Sequence, residues 1–186
     1  MLAKMAAQLG LGKRGLWALL LLVMVSSAIL GWGYEMLFYR INSGGTWVAR
    51  GHGYGPWLPI YGFGSWGITF SCWPVRRNIL GTFTLSSLVT GIIEFVTGYV
   101  LYHFFGGLRL WDYNTEIWNW GNMGGYVCAR SVLVFALAGI ALMQLVIPLT
   151  AKAIKRVGER PALWVALLCT FVYVADIVQG YLIKGL

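Results

Sequence analysis

Charged residues are scarce in this chain of 186 residues: they make up 11% of it, whereas hydrophobic residues make up 59%. Soluble domains carry roughly 25% charged residues, so a water-soluble globular protein is excluded. The few charges are unbalanced, and the net charge is +8. A nucleic-acid-binding protein gathers such charge on one solvated face. Here the basic residues lie between long apolar runs, so we expect no nucleic-acid partner.

Several catalytic and cofactor motifs are also missing. Cys72, Cys128 and Cys169 are odd in number and show no C-x-x-C spacing, which argues against a disulfide framework and against zinc. The P-loop pattern G-x-x-x-x-G-K-[ST] is absent, so the chain is not an ATPase of that type. Residues 62–67 spell G-x-G-x-x-G, but no strand precedes them and no acidic residue follows about twenty positions later. We expect no metal and no cofactor, and no spacing of Ser, His and Asp here marks a catalytic nucleophile. We interpret these glycines as points of close helix contact.

Apolar segments dominate what remains, and they predict an all-α, polytopic transmembrane bundle that forms a single domain over residues 1–186. A helix crosses the hydrocarbon core with about 20 residues. The five predicted segments are 16–37, 56–74, 79–105, 131–150 and 161–183. The second opens with Pro56 and Pro59 and is rich in glycine, so we expect it to be broken or re-entrant and packed inside protein.

The first segment has a second interpretation, a cleaved signal peptide. Ser26, Ser27 and Ala28 supply small residues after a short apolar core, as a cleavage site requires. The apolar stretch continues beyond them, so we favour a membrane helix.

The distribution of Lys and Arg predicts the orientation. Cytoplasmic loops are enriched in basic residues, and an inside N-terminus places nine of the fourteen on the inner side. The inner set is Lys4, Lys13, Arg14, Arg76, Arg77, Lys152, Lys155, Arg156 and Arg160, and the outer set is Arg40, Arg50, Arg109, Arg130 and Lys184. We therefore predict a cytoplasmic N-terminus and a periplasmic or extracellular C-terminus.

Acidic residues occur where a membrane protein can least accommodate them. Glu35, Glu94 and Asp176 lie in apolar segments, and Asp112 follows the third. Glu94 and Asp176 are each roughly 22 Å from the cytoplasmic start of their segments at 1.5 Å per residue. Arg50, Arg130, His52 and His103 fall in the same outer half of the membrane.

Ionisable groups at such depth face a bundle interior or water and find partners. We expect Glu35 and Glu94 to pair with Arg50 and Arg130 around an outward-opening polar cavity, with Asp112 and Asp176 in the same region. The alternative is a set of structural ion pairs that lock the helices. Both hypotheses require the same pairs, and only movement separates them.

Five short sequence blocks occur in and beside the loops of the chain. Residues 31–35 read GWGYE, residues 50–62 read RGHGYGPWLPIYG, residues 94–98 read EFVTG, residues 111–114 read WDYN and residues 122–131 read NMGGYVCARS. Together they resemble the bacterial membrane-protein family described as Putative ABC-transporter type IV, over roughly residues 28–180. The positions that carry the loop motif are Gly55, Pro56, Pro59, Tyr61, Gly62, Trp111 and Tyr113. The chain departs from the family pattern at Gly124, at Tyr126 and at Phe135 with Ala136.

The resemblance implies a multi-pass subunit of a transport system in the bacterial inner membrane, relying on a separate ATPase. The partners it allows are membrane lipids, that ATPase and further copies of the chain. Two other hypotheses stay open. One is an intramembrane enzyme acting on a lipid or lipid-linked substrate, with Glu94 or Asp112 as acid or base and Arg50 holding an anionic headgroup. The other is a structural or regulatory subunit.

Overall fold

The computed structural model describes residues 1–51 and 53–183, and side chains only as far as Gly180. His52 and Lys184, which entered the predictions of depth and orientation, lie outside the described residues. The α-helices are α1 (Leu2–Leu9), α2 (Lys13–Asn42), α3 (Pro59–Cys72), α4 (Ile79–Phe104), α5 (Ala129–Ala141), α6 (Ile147–Val157) and α7 (Glu159–Ile177). A 3₁₀ turn at Trp73–Val75 follows α3.

Four helices of the described chain are long and apolar enough to cross a membrane, and they confirm the predicted helical membrane fold. They are Lys13–Asn42, Ile79–Phe104, Ala129–Val157 and Glu159–Gly180. The second predicted segment becomes α3, which has 14 residues and is about 21 Å long at 1.5 Å per residue. That length falls short of a hydrocarbon core of about 30 Å, so the prediction of five segments stays a prediction.

π-helical turns account for the length of the last two spans. Leu142–Val146 joins α5 to α6, and Val178–Ile183 extends α7. The first of these turns ends just before Pro148, which cannot donate a backbone hydrogen bond and crowds the preceding turn. In the same stretch the Gln144 side chain turns away and donates a hydrogen bond to the carbonyl of Arg76.

Contacts divide the chain into two compact units, residues 1–66 with 145–186, and residues 67–144. In the first unit α2 and α7 run in the same direction. The Glu159 carboxylate, at the start of α7, accepts hydrogen bonds from backbone N–H groups at the start of α2. Further along α7, Tyr173 packs in a buried cluster with Met24 and Ala28 of α2.

The part of α3 that belongs to the first unit runs antiparallel to α2 and begins halfway along it. The Leu58 N–H, just before α3, donates to the Ala28 carbonyl at 3.1 Å. Two turns later the Trp66 indole Nε1 donates to the Leu20 carbonyl at 2.8 Å. Residues 43–51 and 53–58 therefore return along the C-terminal half of α2 as non-helical chain, and we call these described residues the descending loop.

The second unit is built on α4 and α5. The buried residues of α4 recur every fourth position and are all polar: Thr82, Ser86, Thr90 and Glu94. Residues at this spacing share one helix face, so α4 turns its polar face inward and leaves its apolar faces exposed. Between α4 and α5, residues 105–128 form turns.

Candidate functional site

Glu35 of α2 is the first acidic anchor of the descending loop. Its carboxylate accepts a hydrogen bond from Arg50 Nε at 2.8 Å and another from the Tyr61 hydroxyl at 3.1 Å. The Arg50 guanidinium also lies over the ring of Tyr39, 3.8 Å from its centroid. A partly buried arginine that combines a carboxylate and an aromatic face is stabilised by both. The structure thus brings the predicted residues Glu35, Arg50 and Tyr61 together.

Asp176 of α7 is the second anchor. Its carboxylate accepts hydrogen bonds from the backbone N–H of Tyr54 at 2.8 Å and of Gly55 at 3.2 Å, and from the Trp57 indole at 2.7 Å. Gly53 faces the same carboxylate so closely that a Cβ there would overlap it. Three N–H donors on one carboxylate compensate an ionised group at membrane depth.

Two glycines allow α3 to approach the parallel helices. A Cβ at Gly31 would overlap the ring of Tyr61. A Cβ at Gly62 would lie 2.5 Å from the Tyr173 hydroxyl and 3.1 Å from the Met24 carbonyl oxygen. The glycines of the G-x-G-x-x-G string therefore do not act alike, because Gly62 is in close contact whereas Gly64 faces open space.

The prolines of the predicted loop motif have separate roles. Pro59 is the first residue of α3, where its missing N–H costs no helical hydrogen bond. Pro56 is exposed in the descending loop. Pro56 lies between Gly55 and Trp57, both of which donate hydrogen bonds to the Asp176 carboxylate.

Glu94 lies in the second unit and is 3% exposed. Its carboxylate accepts hydrogen bonds from the Tyr113 hydroxyl and from Ser131 Oγ, the latter at 2.8 Å. Burial raises the pKa of Tyr113 above that of a free phenol, and the Glu94 carboxylate raises it further. The phenol consequently keeps its proton and is the donor in this hydrogen bond.

Arg130, at the start of α5, forms a buried ion pair with Glu116, a residue that the sequence analysis did not single out. The Arg130 Nη2 donates to the Glu116 carboxylate at 2.5 Å, and its Nη1 donates to the Ile117 carbonyl at 3.1 Å. Both members of this ion pair are buried, and the guanidinium carbon lies 5.5 Å from the centroid of the Tyr113 ring. The pair and the Glu94 cluster therefore meet at Tyr113.

Asp112 has a local role at the surface of the second unit. Its carboxylate pairs with Arg109 at 3.3 Å and accepts a hydrogen bond from the Asn114 N–H at 3.0 Å. The latter is the bond of an Asx turn. Trp111 donates its indole N–H to the Tyr126 carbonyl at 2.9 Å. These bonds shape the turns between α4 and α5.

For three residues that the structure shows to be partners, the sequence analysis did not predict a role: Glu116, Ser131 and Glu159. Glu116 and Ser131 are partners of predicted residues, but they lie 14 and 37 positions from them in the chain. Glu159 stands among basic residues and resembles an ordinary loop acid. The sequence pattern that was used, an acidic residue flanked by long apolar runs, finds neither Glu116 nor Glu159, and Ser131 is not acidic. Each of the three becomes a partner only through tertiary contact.

The chemistry of these groups is that of hydrogen-bonded anchors. Among the described residues no group of His, Cys, Asp and Glu could hold a metal ion. In the first unit, Glu35 and Asp176 fix the descending loop to α2 and α7 through separate sets of donors. In the second, Glu94 and Glu116 fix the turns at the start of α5. Each carboxylate thus ties non-helical chain to a helix.

Long apolar helices that carry buried carboxylates define this chain as a helical membrane protein. The family model described as Putative ABC-transporter type IV matches residues 21–181. The chain belongs to that family, and the membership inferred from its loop motifs is confirmed. No curated protein and no solved structure gives a significant match.

Proposed function

We propose that this protein is the membrane-spanning subunit of a transporter in the bacterial inner membrane, and that the descending loop with Glu35, Arg50 and Asp176 lines its outward-facing polar cavity. A separate ATPase subunit supplies the energy, because the chain carries no P-loop. The N-terminus is cytoplasmic in this proposal. The loop at the C-terminal half of α2 then lies on the outer side.

The observation that carries the proposal is the discontinuity of the second predicted segment. Non-helical backbone at membrane depth is tolerated only where protein buries it or where it lines a water-filled cavity. Transporters place such interruptions at their binding sites, because unwound chain and helix ends offer free N–H and C=O groups to the solute. The descending loop meets α3 opposite Ala28, near the middle of α2.

The charges around the loop fit the same function. Arg50 and Glu35 are both about four-fifths buried, so each depends on the other for compensation in a medium that solvates ions poorly. A solute with a charged or polar group can replace one partner and release the loop. In this proposal, the solute replaces one member of the Glu35–Arg50 pair, and this exchange opens a path for the solute through the protein.

Accessibility to water tests the cavity. Tyr54, in the descending loop, and Phe171, on α7, are 71% and 70% exposed. Cysteine at each position is treated in intact cells with a membrane-impermeant, charged thiol reagent, and the unmodified chain corrects for Cys72, Cys128 and Cys169. We expect rapid labelling of Tyr54→Cys and none of Phe171→Cys, because lipid covers the apolar face of α7. Equal labelling of the two, or none at Tyr54→Cys, contradicts the proposed cavity.

The ATPase partner is tested separately. The tagged protein is purified from its native membranes in mild detergent, and ATP hydrolysis of the complex is measured. We expect a co-purifying ATPase whose activity is lost when the exposed Lys152 and Arg156 are replaced by Glu. Repeated recovery of the chain without an ATP-hydrolysing subunit, including after cross-linking in cells, counts against a transporter and favours a structural subunit.

A further inference from the structure

Seven of the fourteen basic residues of the chain lie in two short segments that are far apart in sequence. Residues 1–16 contain Lys4, Lys13 and Arg14, and residues 151–160 contain Lys152, Lys155, Arg156 and Arg160. All seven are exposed. The same two segments contain one acidic residue, Glu159.

Tertiary contacts bring the two segments to the same end of the first unit. Glu159 Oε1 accepts a hydrogen bond from the Gly12 N–H at 2.6 Å, and Oε2 accepts one from the Gly15 N–H at 3.0 Å. Lys155 Nζ lies 2.9 Å from the place of a Cβ at Gly10, the residue that ends α1. Both Glu159 oxygens accept hydrogen bonds from backbone N–H groups, and this one negative charge leaves the two segments strongly positive. The result is a cationic surface, which we name the basic rim.

Two exposed indoles lie just above the basic rim on the parallel helices. Trp17 follows Lys13 by one turn of α2, and Trp164 follows Arg160 by one turn of α7. They are 43% and 73% exposed. Tryptophan concentrates at the boundary between hydrocarbon and headgroups. One helical turn is about 5.4 Å, so Lys13 and Arg160 lie about one turn from the two indoles, on the side away from the apolar part of each helix.

We propose that the basic rim binds the headgroups of anionic phospholipids. The rim supplies seven positive charges, and the phosphodiesters of lipids such as phosphatidylglycerol supply the opposite charge at the same level. The ammonium and guanidinium groups donate hydrogen bonds to phosphate oxygens. Binding to this surface ties the first turn of α2 and the α6–α7 turn to one leaflet.

Helix electrostatics alone does not account for the rim. Lys155 and Arg156 lie in the last turn of α6, where cations favour the negative end of the helix dipole. Lys13 and Arg14, in contrast, lie at the start of α2, the end of a helix that disfavours positive charge. The Glu159 carboxylate at that helix end carries a single negative charge, so an external anion supplies the compensation that Glu159 alone does not.

The test measures how strongly spin-labelled phosphatidylglycerol, relative to spin-labelled phosphatidylcholine, associates with the purified chain in mixed bilayers. We expect a preference for phosphatidylglycerol that approaches unity at 1 M salt, where the Debye length is about 3 Å. Each cation near a surface contributes about fivefold, so the double variant Lys155→Gln/Arg156→Gln should lower the preference by up to about 25-fold. The matched control Arg40→Gln/Arg109→Gln removes the same charge elsewhere and should keep it. Circular dichroism and gel filtration check folding.

Three results overturn the proposal: no preference in the wild type, an equal loss in the control pair, or a preference that survives the Lys155→Gln/Arg156→Gln change. If the wild-type protein shows no preference for phosphatidylglycerol but binds a purified acidic protein through Lys155 and Arg156, the basic rim is a protein-docking surface and the lipid proposal is overturned. The experiment involves no transport, so it is independent of the transporter proposal.

Discussion

The Trp57 indole nitrogen lies 2.7 Å from the carboxylate of Asp176, so a ring in a non-helical loop is bonded to an acid inside a membrane helix. The same carboxylate also accepts backbone N–H groups of the loop. A single side chain of α7 thereby holds chain that has no helical hydrogen bonds of its own. This relationship explains how an irregular segment is stable at the depth of Ala28.

Replacement of Asp176 by Asn should loosen the descending loop. The amide keeps the shape of the side chain but loses its charge, and its NH₂ group faces N–H donors. Hydrogen bonds to charged groups contribute about 1.5–3 kcal/mol each, so we expect the free energy of unfolding to fall by about 2–4 kcal/mol. Thiol labelling of Tyr54→Cys should become several-fold faster in the same background.

Asp112→Asn is the matched control for this change. Asp112 also accepts backbone and side-chain donors, but it lies in a surface turn with 29% of its side chain exposed. Its replacement should cost less than about 1 kcal/mol. If the two variants unfold alike and label Tyr54→Cys alike, Asp176 does not anchor the loop.

Gly31→Ala should destabilise the first unit because the new methyl group overlaps the Tyr61 ring. Overpacking of this kind costs about 1–3 kcal/mol. Gly33→Ala in the same helix is the control, since no atom beyond the adjoining helix backbone lies within 4 Å of the added Cβ, and alanine in a helix is favoured over glycine by about 0.5–1 kcal/mol. Thermal unfolding in detergent compares the two variants. A Gly31→Ala protein as stable as Gly33→Ala would show that α3 packs elsewhere.

Glu94→Gln should have a larger effect than Glu35→Gln. Glu94 is 3% exposed, whereas the Glu35 side chain is 16% exposed, and an unpaired group costs more where water is absent. Unfolding and complex ATPase activity are measured for both. A Glu94→Gln protein that folds normally but is inactive indicates a charge-dependent role, and one that fails to fold indicates a structural anchor.

Tyr113→Phe separates these two roles of Glu94. It removes one donor to the carboxylate and leaves the charge in place, so a structural anchor predicts a loss of about 1–3 kcal/mol in unfolding free energy. A charge-dependent role predicts that activity survives this change better than it survives Glu94→Gln. A Glu94→Gln variant indistinguishable from wild type in folding and activity would refute both roles.

The termini should lie on opposite sides of the membrane if the descending loop and α3 together complete one crossing. With the four long helices they then make an odd number of passes. Reporter fusions that are active only in the cytoplasm or only outside it check each end. A cytoplasmic signal from both ends would mean that the loop and α3 enter and leave on the same side.

Much of the helical pattern follows from the sequence alone, because helix position depends on local apolar runs. The third predicted segment, 79–105, became Ile79–Phe104, with Asn78 capping its first turn through a hydrogen bond from the Gly81 N–H. The irregular second segment was also predictable from the sequence, because proline and glycine change the backbone conformation at their own positions. The amphipathic helix Leu2–Leu9 was missed because eight residues are too few to stand out beside longer runs.

Tertiary structure decided which groups meet. Nothing near Arg130 in the chain distinguishes Glu116 from Glu94 as its partner, and the choice depends on how residues 105–128 turn back over the start of α5. The level at which α3 begins is likewise set by the contact of Leu58 with Ala28. Local sequence determines where a helix can form and which charges need compensation in lipid. The identity of the compensating group depends on packing between segments that are distant in the chain, and the order of residues does not encode those contacts locally.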